Sequence, residues 1–160
     1  MRALIARRPM PVDEQITKAL HIPKEEAPVA RLIGMRLASA GPGLATFVLD
    51  VDARHHNPMG SVHGGILADL ADAAMGYAVI STLSADETFT TLEIKVNFLR
   101  PAFEGRLRCH AKVESRGKTI AYATADVVND EGKIIAKAVS TNLLQKRPGA
   151  TDAFHHQKRA

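Results

Sequence analysis

One stretch of the sequence constrains the fold more than any other: a glycine-rich polar segment that runs directly into a long apolar run. Residues 55–65 contain histidines, an asparagine and a glycine pair, and residues 66–83 are apolar on nearly every side of a helix. A helix of that kind has to be covered on most of its surface. The glycine pair leaves backbone N–H groups free at the helix start, where the helix dipole is positive. The stretch therefore predicts a buried helix whose first turn can hold an oxyanion.

Two carboxylates lie inside this apolar run, at Asp69 and Asp72. A buried aspartate costs free energy unless it is paired or used in chemistry, so Asp72 is a candidate functional residue. The two carboxylates stand three residues apart, where like charges repel each other on a helix. If both are buried, the pKa of one of them should rise. We expect Asp69 to face outward or to bind local backbone donors.

Runs with strand-like patterns lie on both sides of the helix. The first includes Leu32, Ile33, Met35 and Leu37, and a Gly-Pro-Gly turn at 41–43 follows it. The other predicted strands cover residues 44–51, 90–99, 106–114, 118–128 and 133–144. The spacing of the four runs that follow the helix predicts an antiparallel meander.

The run 90–99 alternates polar and apolar residues, which places Leu92, Ile94, Val96 and Phe98 on one half-buried face. Five or six strands in a curved, mostly antiparallel sheet can wrap around one long helix, which is an α+β architecture. A single sheet covers only part of such a helix, so a second copy should cover more. We expect at least a homodimer, and a homotetramer built as a dimer of dimers.

The 160 residues fit one domain at 29–144 with a segment on each side of it. Residues 1–28 are punctuated by prolines and predict a peripheral N-terminal segment with a short helix, and residues 145–160 predict a flexible polar tail. The single cysteine, Cys109, excludes an internal disulfide, and we expect a cytoplasmic protein. Its position in the middle of a strand indicates a packing role.

Several classes of partner and cofactor are disfavoured. The net charge is +4, but the basic residues are spread along the chain and aromatic residues make up only 4%, so we expect no nucleic acid partner. The apolar run contains two aspartates and is marginal in length for a membrane span. The histidines at 55, 56 and 63 are explained better by the glycines and asparagine around them than by a metal site. Gly117-Lys118-Thr119 is no phosphate loop, because Lys112 stands where the upstream glycine is required.

The central stretch carries a recognisable pattern: His-x-Asn-x-x-Gly-x-x-His-Gly-Gly, with an aspartate nine residues after the second histidine. It resembles the hotdog-fold acyl-CoA thioesterases, most closely their phenylacetate-degradation (PaaI-type) branch. The matching residues are His55, Asn57, Gly60, His63, Gly64, Gly65 and Asp72. Segments 97–102 and 116–119 resemble later strands and turns of that family, and the resemblance covers about residues 30–144.

The resemblance implies a hotdog fold and hydrolysis of acyl-CoA thioesters without a metal or prosthetic cofactor. The N–H of Gly64 would polarise the thioester carbonyl, and Asp72 would act as general base or nucleophile. Asn57 would help to place water or substrate. Thr91, rather than Thr90, would supply an assisting hydroxyl from the following strand. His63 either shapes the turn or contacts the substrate.

The coenzyme A part of the substrate needs its own contacts. We expect these from Gly65, from Arg100, and from a turn formed by Arg116, Gly117 and Lys118, whose cations could hold phosphates. A solvated hairpin is the competing interpretation of that turn. Two further functions stay open: a non-catalytic acyl-CoA sensor on the same fold, and a hotdog hydratase or dehydratase that acts on acyl-thioesters.

The spacing of the two central groups leads to a prediction about assembly. Asp72 lies eight residues beyond Gly64, which is about 12 Å along a helix. The two groups of one chain can therefore hardly contact the same thioester carbonyl. If two such helices lie antiparallel in a dimer, Asp72 of one chain approaches Gly64 of the other.

Overall fold

One long helix packs against one face of a curved six-stranded sheet, and every strand pair in that sheet is antiparallel. The computed structural model describes residues 27–147. The short helix expected within residues 1–28 and most of the expected tail at 145–160 lie outside the described residues. The predicted α+β architecture, with one long helix against a curved antiparallel sheet, is confirmed.

The elements follow one another with short connections. In chain order they are α1 (Pro28–Ile33), β1 (Met35–Gly41), β2 (Leu44–Val51), a 3-10 turn (Ala53–His55), α2 (Gly64–Ile80), β3 (Glu87–Phe98), β4 (Gly105–Arg116), β5 (Ile120–Val128) and β6 (Ile134–Lys146). The long helix is α2, and it contacts all six strands.

The strand order is β1-β2-β4-β5-β6-β3, so the predicted simple meander is wrong at one strand. The polypeptide leaves β2, which is the second strand from one edge, and crosses one face of the sheet as α2. It then enters β3 at the opposite edge, where β3 pairs with β6. Strands β4, β5 and β6 do form a meander. Only β6 flanks β3, so the outer edge of β3 has no strand beside it within residues 27–147.

The first predicted strand begins too early, because Leu32 and Ile33 belong to the short helix α1. Pro28 occupies the start of this helix, where the missing N–H of proline costs nothing and its fixed φ suits the helix. Gly34 ends the helix with a φ of 87°, a left-handed conformation that glycine adopts without strain. The strand therefore starts at Met35.

The core forms where α2 meets the middle strands. The helix residues buried there are Leu67, Leu70, Ala71, Ala74, Met75, Ala78 and Val79. Alanines on the inward faces of β5 and β6 have no bulk beyond Cβ, so the helix can approach the sheet closely. Burial raises the pKa of the Cys109 thiol on β4, which is consistent with the predicted packing role. The opposite side of α2 stays only partly covered in one chain.

Strand β3 contains one residue more than its partner strand at Leu92. Thr91 lies opposite Asn142, and Glu93 lies opposite Thr141, so the register shifts by one residue between them. Leu92 is the extra residue and is 58% exposed, which corrects the prediction that it shares a half-buried face with Ile94, Val96 and Phe98. Directly opposite residues share a face of a sheet. The shift therefore lets Thr91 and Phe98 both face the side of α2.

No helix among the described residues has the length and hydropathy needed to cross a lipid bilayer.

Candidate active site

The N-terminus of α2 carries the first group of predicted site residues. His63 is the N-cap, and its Nδ1 accepts a hydrogen bond from the Gly65 N–H at 2.9 Å. The Gly64 N–H has no hydrogen-bond partner within residues 27–147. The helix dipole adds positive potential at that N–H. The cap thus occupies the Gly65 N–H and leaves the Gly64 N–H available to an oxyanion.

A side chain at position 64 would displace the ring of Phe98, which lies against Gly64. A Cβ on Gly64 would meet the Phe98 ring at 2.9 Å, closer than real side chains approach. Phe98 reaches this place because the shifted register turns it to the helix side of β3. The ring and the bare Cα together form one wall of the site.

Asn57 shapes the loop that leads into α2. Its Oδ1 accepts hydrogen bonds from the N–H groups of Met59 (2.9 Å) and Ser61 (3.3 Å), and its Nδ2 donates to Ser61 Oγ at 3.0 Å. Gly60 turns this loop with a φ of 81°. One further N–H of the Asn57 amide stays available for a ligand.

The two histidines at the start of the motif are engaged with the backbone. His55 is 3% exposed; its Nδ1 accepts from the Asp52 N–H, and its Nε2 lies 2.7 Å from the Ile33 carbonyl oxygen, to which it donates. His56 Nε2 donates to the Phe103 carbonyl oxygen. Across the described part of the chain, no group of three or more His, Cys, Asp or Glu side chains could hold a metal ion.

An open cavity of about 420 Å³ lies at this end of α2. Asn57, Gly64 and Phe98 line it, together with Arg100 just beyond the end of β3. Arg100 donates one hydrogen bond to the Ile134 carbonyl oxygen at 2.7 Å and is otherwise exposed. The cavity therefore has an apolar wall, a free backbone donor and a cation at its rim.

Asp72 lies in a different cavity, about 180 Å³ in volume, two turns further along α2. Apolar side chains form most of its wall, among them Met35, Leu37, Phe47 and Tyr77. Burial raises the pKa of the Asp72 carboxyl, and a hydrogen bond from Thr91 lowers it in part. The Thr91 Oγ1 lies 3.5 Å from Asp72 Oδ1, whereas Thr90 is exposed.

Asp69 lines the same cavity as Asp72, so the prediction that it faces outward or binds local donors is wrong. Its Oδ2 is buried and has no hydrogen-bond partner within residues 27–147. Burial and the negative charge of Asp72 both raise the pKa of the Asp69 carboxyl. Residues three apart on a helix lie on the same side, so the face that turns Asp72 toward the cavity turns Asp69 there as well.

Gly64 and Asp72 of one chain line separate cavities. The helical rise puts them about 12 Å apart, further than two groups that act on one carbonyl can be. A single chain therefore holds the two halves of the predicted chemistry in two places.

The predicted coenzyme A residues also divide into two groups. Gly65 and Arg100 lie beside the Gly64 cavity, although the Gly65 N–H is used by His63. Arg116 forms an ion pair with Glu87 at the other end of β3, roughly 35 Å from Phe98 along the strand. In the same turn, the Gly117 N–H donates to the Ile120 carbonyl oxygen and Lys118 is exposed.

Asn142 and Ser140 on β6 lie behind Thr91, and neither was among the site residues predicted from the sequence. Asn142 Oδ1 is 3.2 Å from Thr91 Oγ1, and Asn142 Nδ2 is 2.9 Å from Ser140 Oγ. A signal was present. The inward positions of β6 are Ala136, Ala138, Ser140, Asn142 and Leu144. Two polar residues inside an otherwise apolar alternation mark a buried polar pair.

The strand order, the long helix and the glycine pair in its first turn define a hotdog-fold protein. Residues 59–136 match the model of the thioesterase superfamily. The chain is 34% identical to the acyl-coenzyme A thioesterase PaaI of Escherichia coli strain K12, over 72% of this chain and 81% of that protein. It is 31% identical to the human acyl-coenzyme A thioesterase 13, over 71% of this chain and 83% of the relative.

Two solved structures of thioesterase family proteins are also similar to this chain. The structure of Escherichia coli PaaI superposes with a TM-score of 0.73 at 28% identity, covering 81% of this chain and 92% of that one. A thioesterase family protein from Silicibacter pomeroyi superposes with a TM-score of 0.75 at 29% identity, covering 82% and 99%. This chain belongs to the thioesterase superfamily, and it is similar to the PaaI-type members of it.

Proposed function

We propose that this protein hydrolyses acyl-CoA thioesters to a free acid and coenzyme A. The observation that carries the proposal is one helix with a free Gly64 N–H at its start and a half-buried carboxylate two turns later. An oxyanion donor and a carboxylate base are the two groups that thioester hydrolysis needs. The relatives named acyl-coenzyme A thioesterases support the same substrate class.

The Gly64 N–H and the helix dipole stabilise the negative charge that develops on the thioester oxygen. Asp72 of the partner subunit removes a proton from water as the water oxygen attacks the carbonyl carbon. The carbon–sulfur bond then breaks, coenzyme A leaves as the thiolate, and the thiolate takes up a proton. If Asp72 attacks directly instead, the acyl group passes through an anhydride that water opens.

The free edge of β3 supports the proposed dimer. This strand is 12 residues long, its outer edge is unpaired within the described residues, and Leu92 and Phe98 on it are more than half exposed. A long apolar edge of this kind favours pairing with another strand. A twofold axis through the sheet makes the two β3 strands, and hence the two α2 helices, antiparallel. Asp72 of one subunit then approaches Gly64 of the other.

The same arrangement gives the second group of coenzyme A residues a role. In an antiparallel pair, the Glu87 end of one β3 lies beside the Phe98 end of the other. The turn with Arg116, Gly117 and Lys118 of one subunit can then reach the cavity that holds Gly64 and Arg100 of its partner, where cations would hold phosphates. Gly65 supports the turn at that cavity. We propose a homotetramer, as a dimer of dimers, in the cytoplasm.

The test is the release of free thiol from a panel of short, medium, long and aryl acyl-CoAs, followed with a thiol reagent. We expect turnover of at least one of them, and a dimer or tetramer by light scattering. Tight acyl-CoA binding without thiol release would instead indicate a sensor, and hydration of an enoyl-CoA would indicate a hydratase. A monomer that turns over at full rate would overturn the shared site.

A further inference from the structure

A chain of four polar side chains runs from the core of the sheet to the candidate base. Ser140 Oγ lies 2.9 Å from Asn142 Nδ2, Asn142 Oδ1 lies 3.2 Å from Thr91 Oγ1, and Thr91 Oγ1 lies 3.5 Å from Asp72 Oδ1. These four side chains lead from β6 through β3 to α2. They come together because Thr91 is paired directly with Asn142 in the sheet.

The inner end of this chain is completely enclosed. Asn142 is 1% exposed and Ser140 is 2% exposed. Buried polar groups cost free energy unless each has a hydrogen-bond partner. The neighbouring inward positions of β6 hold alanine and leucine, which would fill the same core without that cost. The polar pair therefore calls for an explanation beyond packing.

The number of protons on these four side chains limits which hydrogen bonds can form at the same time. The Thr91 hydroxyl has one proton and two acceptors within reach, Asp72 Oδ1 and Asn142 Oδ1. A side-chain amide has nearly the same shape either way round, so the Asn142 pocket accepts it after a half turn. After that turn Nδ2 donates to Thr91, and Oδ1 accepts from the Ser140 hydroxyl. Thr91 can then give its only proton to Asp72.

Charge decides between the two arrangements. A hydrogen bond to an ionised carboxylate is about twice as strong as one between neutral groups. When Asp72 is ionised, the arrangement that directs the Thr91 proton to it has the lower free energy. When Asp72 is protonated, the opposite arrangement fits, since Asp72 then donates to Thr91 and Thr91 donates to Asn142 Oδ1.

We propose that Asn142 is a positioning residue for Asp72, because its amide N–H directs the Thr91 hydroxyl proton onto the ionised carboxylate. This inference rests on the proposed function of Asp72 as the base. An amide suits the place better than a carboxylate or an alkyl group, because it can donate to Thr91 in one state of Asp72 and accept from it in the other.

Other groups that face Asp72 do not take part in this chain. Asp69 on α2 is the titratable neighbour that carries charge, and Tyr77 on α2 lines the same cavity. From β1 and β2 the cavity receives only the apolar side chains of Met35, Leu37 and Phe47. A change in the titration of Asp72 after a change at position 142 must therefore pass through Thr91 or through a disturbed fold.

The test is a double-mutant cycle on the titration of Asp72, with ¹³C-labelled aspartate and with Asp72→Asn to assign the signal. In Asn142→Leu, which has similar volume and no polar group, we expect the Asp72 midpoint to rise by about half a pH unit. In the Thr91→Val background the same change at 142 should shift nothing further. Thr90→Val is the matched control, and it should leave the midpoint where it is.

Turnover gives a second reading of the same cycle. We expect kcat to fall roughly 3- to 10-fold in Asn142→Leu with KM little changed, and Asn142→Leu/Thr91→Val to be no slower than Thr91→Val alone. A lowered or unchanged midpoint in Asn142→Leu, or an equal shift in the Thr91→Val background, overturns the inference. If Asn142→Leu does not fold, Asn142→Ala replaces it with the same expected direction, because it also removes the amide and adds no charge. A wild-type protein without thiol release refutes the proposed function alone, since the titration does not depend on turnover.

Discussion

The two candidate functional regions of α2 are built in different ways. At its start, the proposed chemistry depends on the backbone: a free Gly64 N–H, a His63 cap and an open cavity. Two turns later it would depend on side chains that belong to three different elements, namely Asp72 on α2, Thr91 on β3 and Asn142 on β6. The first region is specified by a few adjacent residues. The second exists only after the sheet has formed, and it depends on the register between two strands.

The comparison is tested most severely at Asp72. We expect Asp72→Asn to lower kcat about 10³-fold, because the amide cannot accept a proton from water. The fold should persist, since Asn is isosteric and removes a half-buried charge. The measurement is thiol release together with thermal unfolding. Turnover within a few-fold of the wild type would remove Asp72 from the mechanism.

The helix start should respond to shape instead of charge. In Gly64→Ala the N–H remains, but the new Cβ would lie 2.9 Å from the Phe98 ring, so the ring or the first turn has to move. We expect kcat to fall roughly 10- to 100-fold. Gly76→Ala on the same helix is the matched control, because its Cβ would make ordinary contact with Phe89 at 3.5 Å. Gly64→Ala combined with Phe98→Ala should recover part of the loss, and failure to do so would contradict the steric explanation.

Asp69 lies beside Asp72 in the second region, and its substitution is expected to change the free energy of unfolding. The folded state holds the pKa of Asp69 above its ordinary 3.8, so it binds this proton more tightly than the unfolded state does. The contribution of Asp69 to the free energy of unfolding is therefore fully present at low pH, and it is lost as the pH rises above about 3.8. Asp69→Asn should remove that loss and raise the free energy of unfolding at pH 7 by about 0.5 kcal/mol, a small amount because Asp69 is only partly buried and water screens its charge. Denaturant unfolding at pH 4 and pH 7 measures it, and an equal effect at both values would refute this assignment.

The smallest effect is expected at the cap. His63→Ala removes the acceptor for the Gly65 N–H and should destabilise the protein by about 0.5–1 kcal/mol. His63→Asn, with an oxygen acceptor that suits an N-cap, should restore most of that stability. The measurement is thermal unfolding. If His63→Asn restores stability but not turnover, the imidazole also contacts the substrate.

The sequence carried the fold class and the family, and both predictions are confirmed. The glycine pair and the apolar run are local signals, which is why the start of α2 could be located within two residues. The position of β3 was wrong because strand order depends on which sheet edge the chain reaches after α2, and no local pattern encodes that choice. The predicted orientation of Asp69 was wrong for a simpler reason: helical spacing already placed it on the same side as Asp72.

The extra residue at Leu92 shows the same limit at finer scale. Strict alternation puts Thr91 and Ile94 on opposite faces, and only a register shift brings both to the side of α2. An insertion of one residue in a strand leaves no clear mark in an otherwise alternating sequence. The roles of Gly64, Asn57, His63, Thr91 and Asp72 in catalysis stay predictions, as do those of Gly65, Arg100, Arg116, Gly117 and Lys118 in coenzyme A binding.

The register shift in β3 also has a consequence for how this protein can change over time. Leu92 is the extra residue, so its deletion would leave Thr91 opposite Asn142 and Glu93 opposite Thr141 and would keep the facing of both parts of the strand. Deletion of a residue between Glu93 and Phe98 would instead invert the facing on one side of the gap. Either the hydroxyl would leave the acid or the aromatic ring would leave the glycine. A lineage can therefore lose the bulge at lower cost than any of the residues that follow it in the strand.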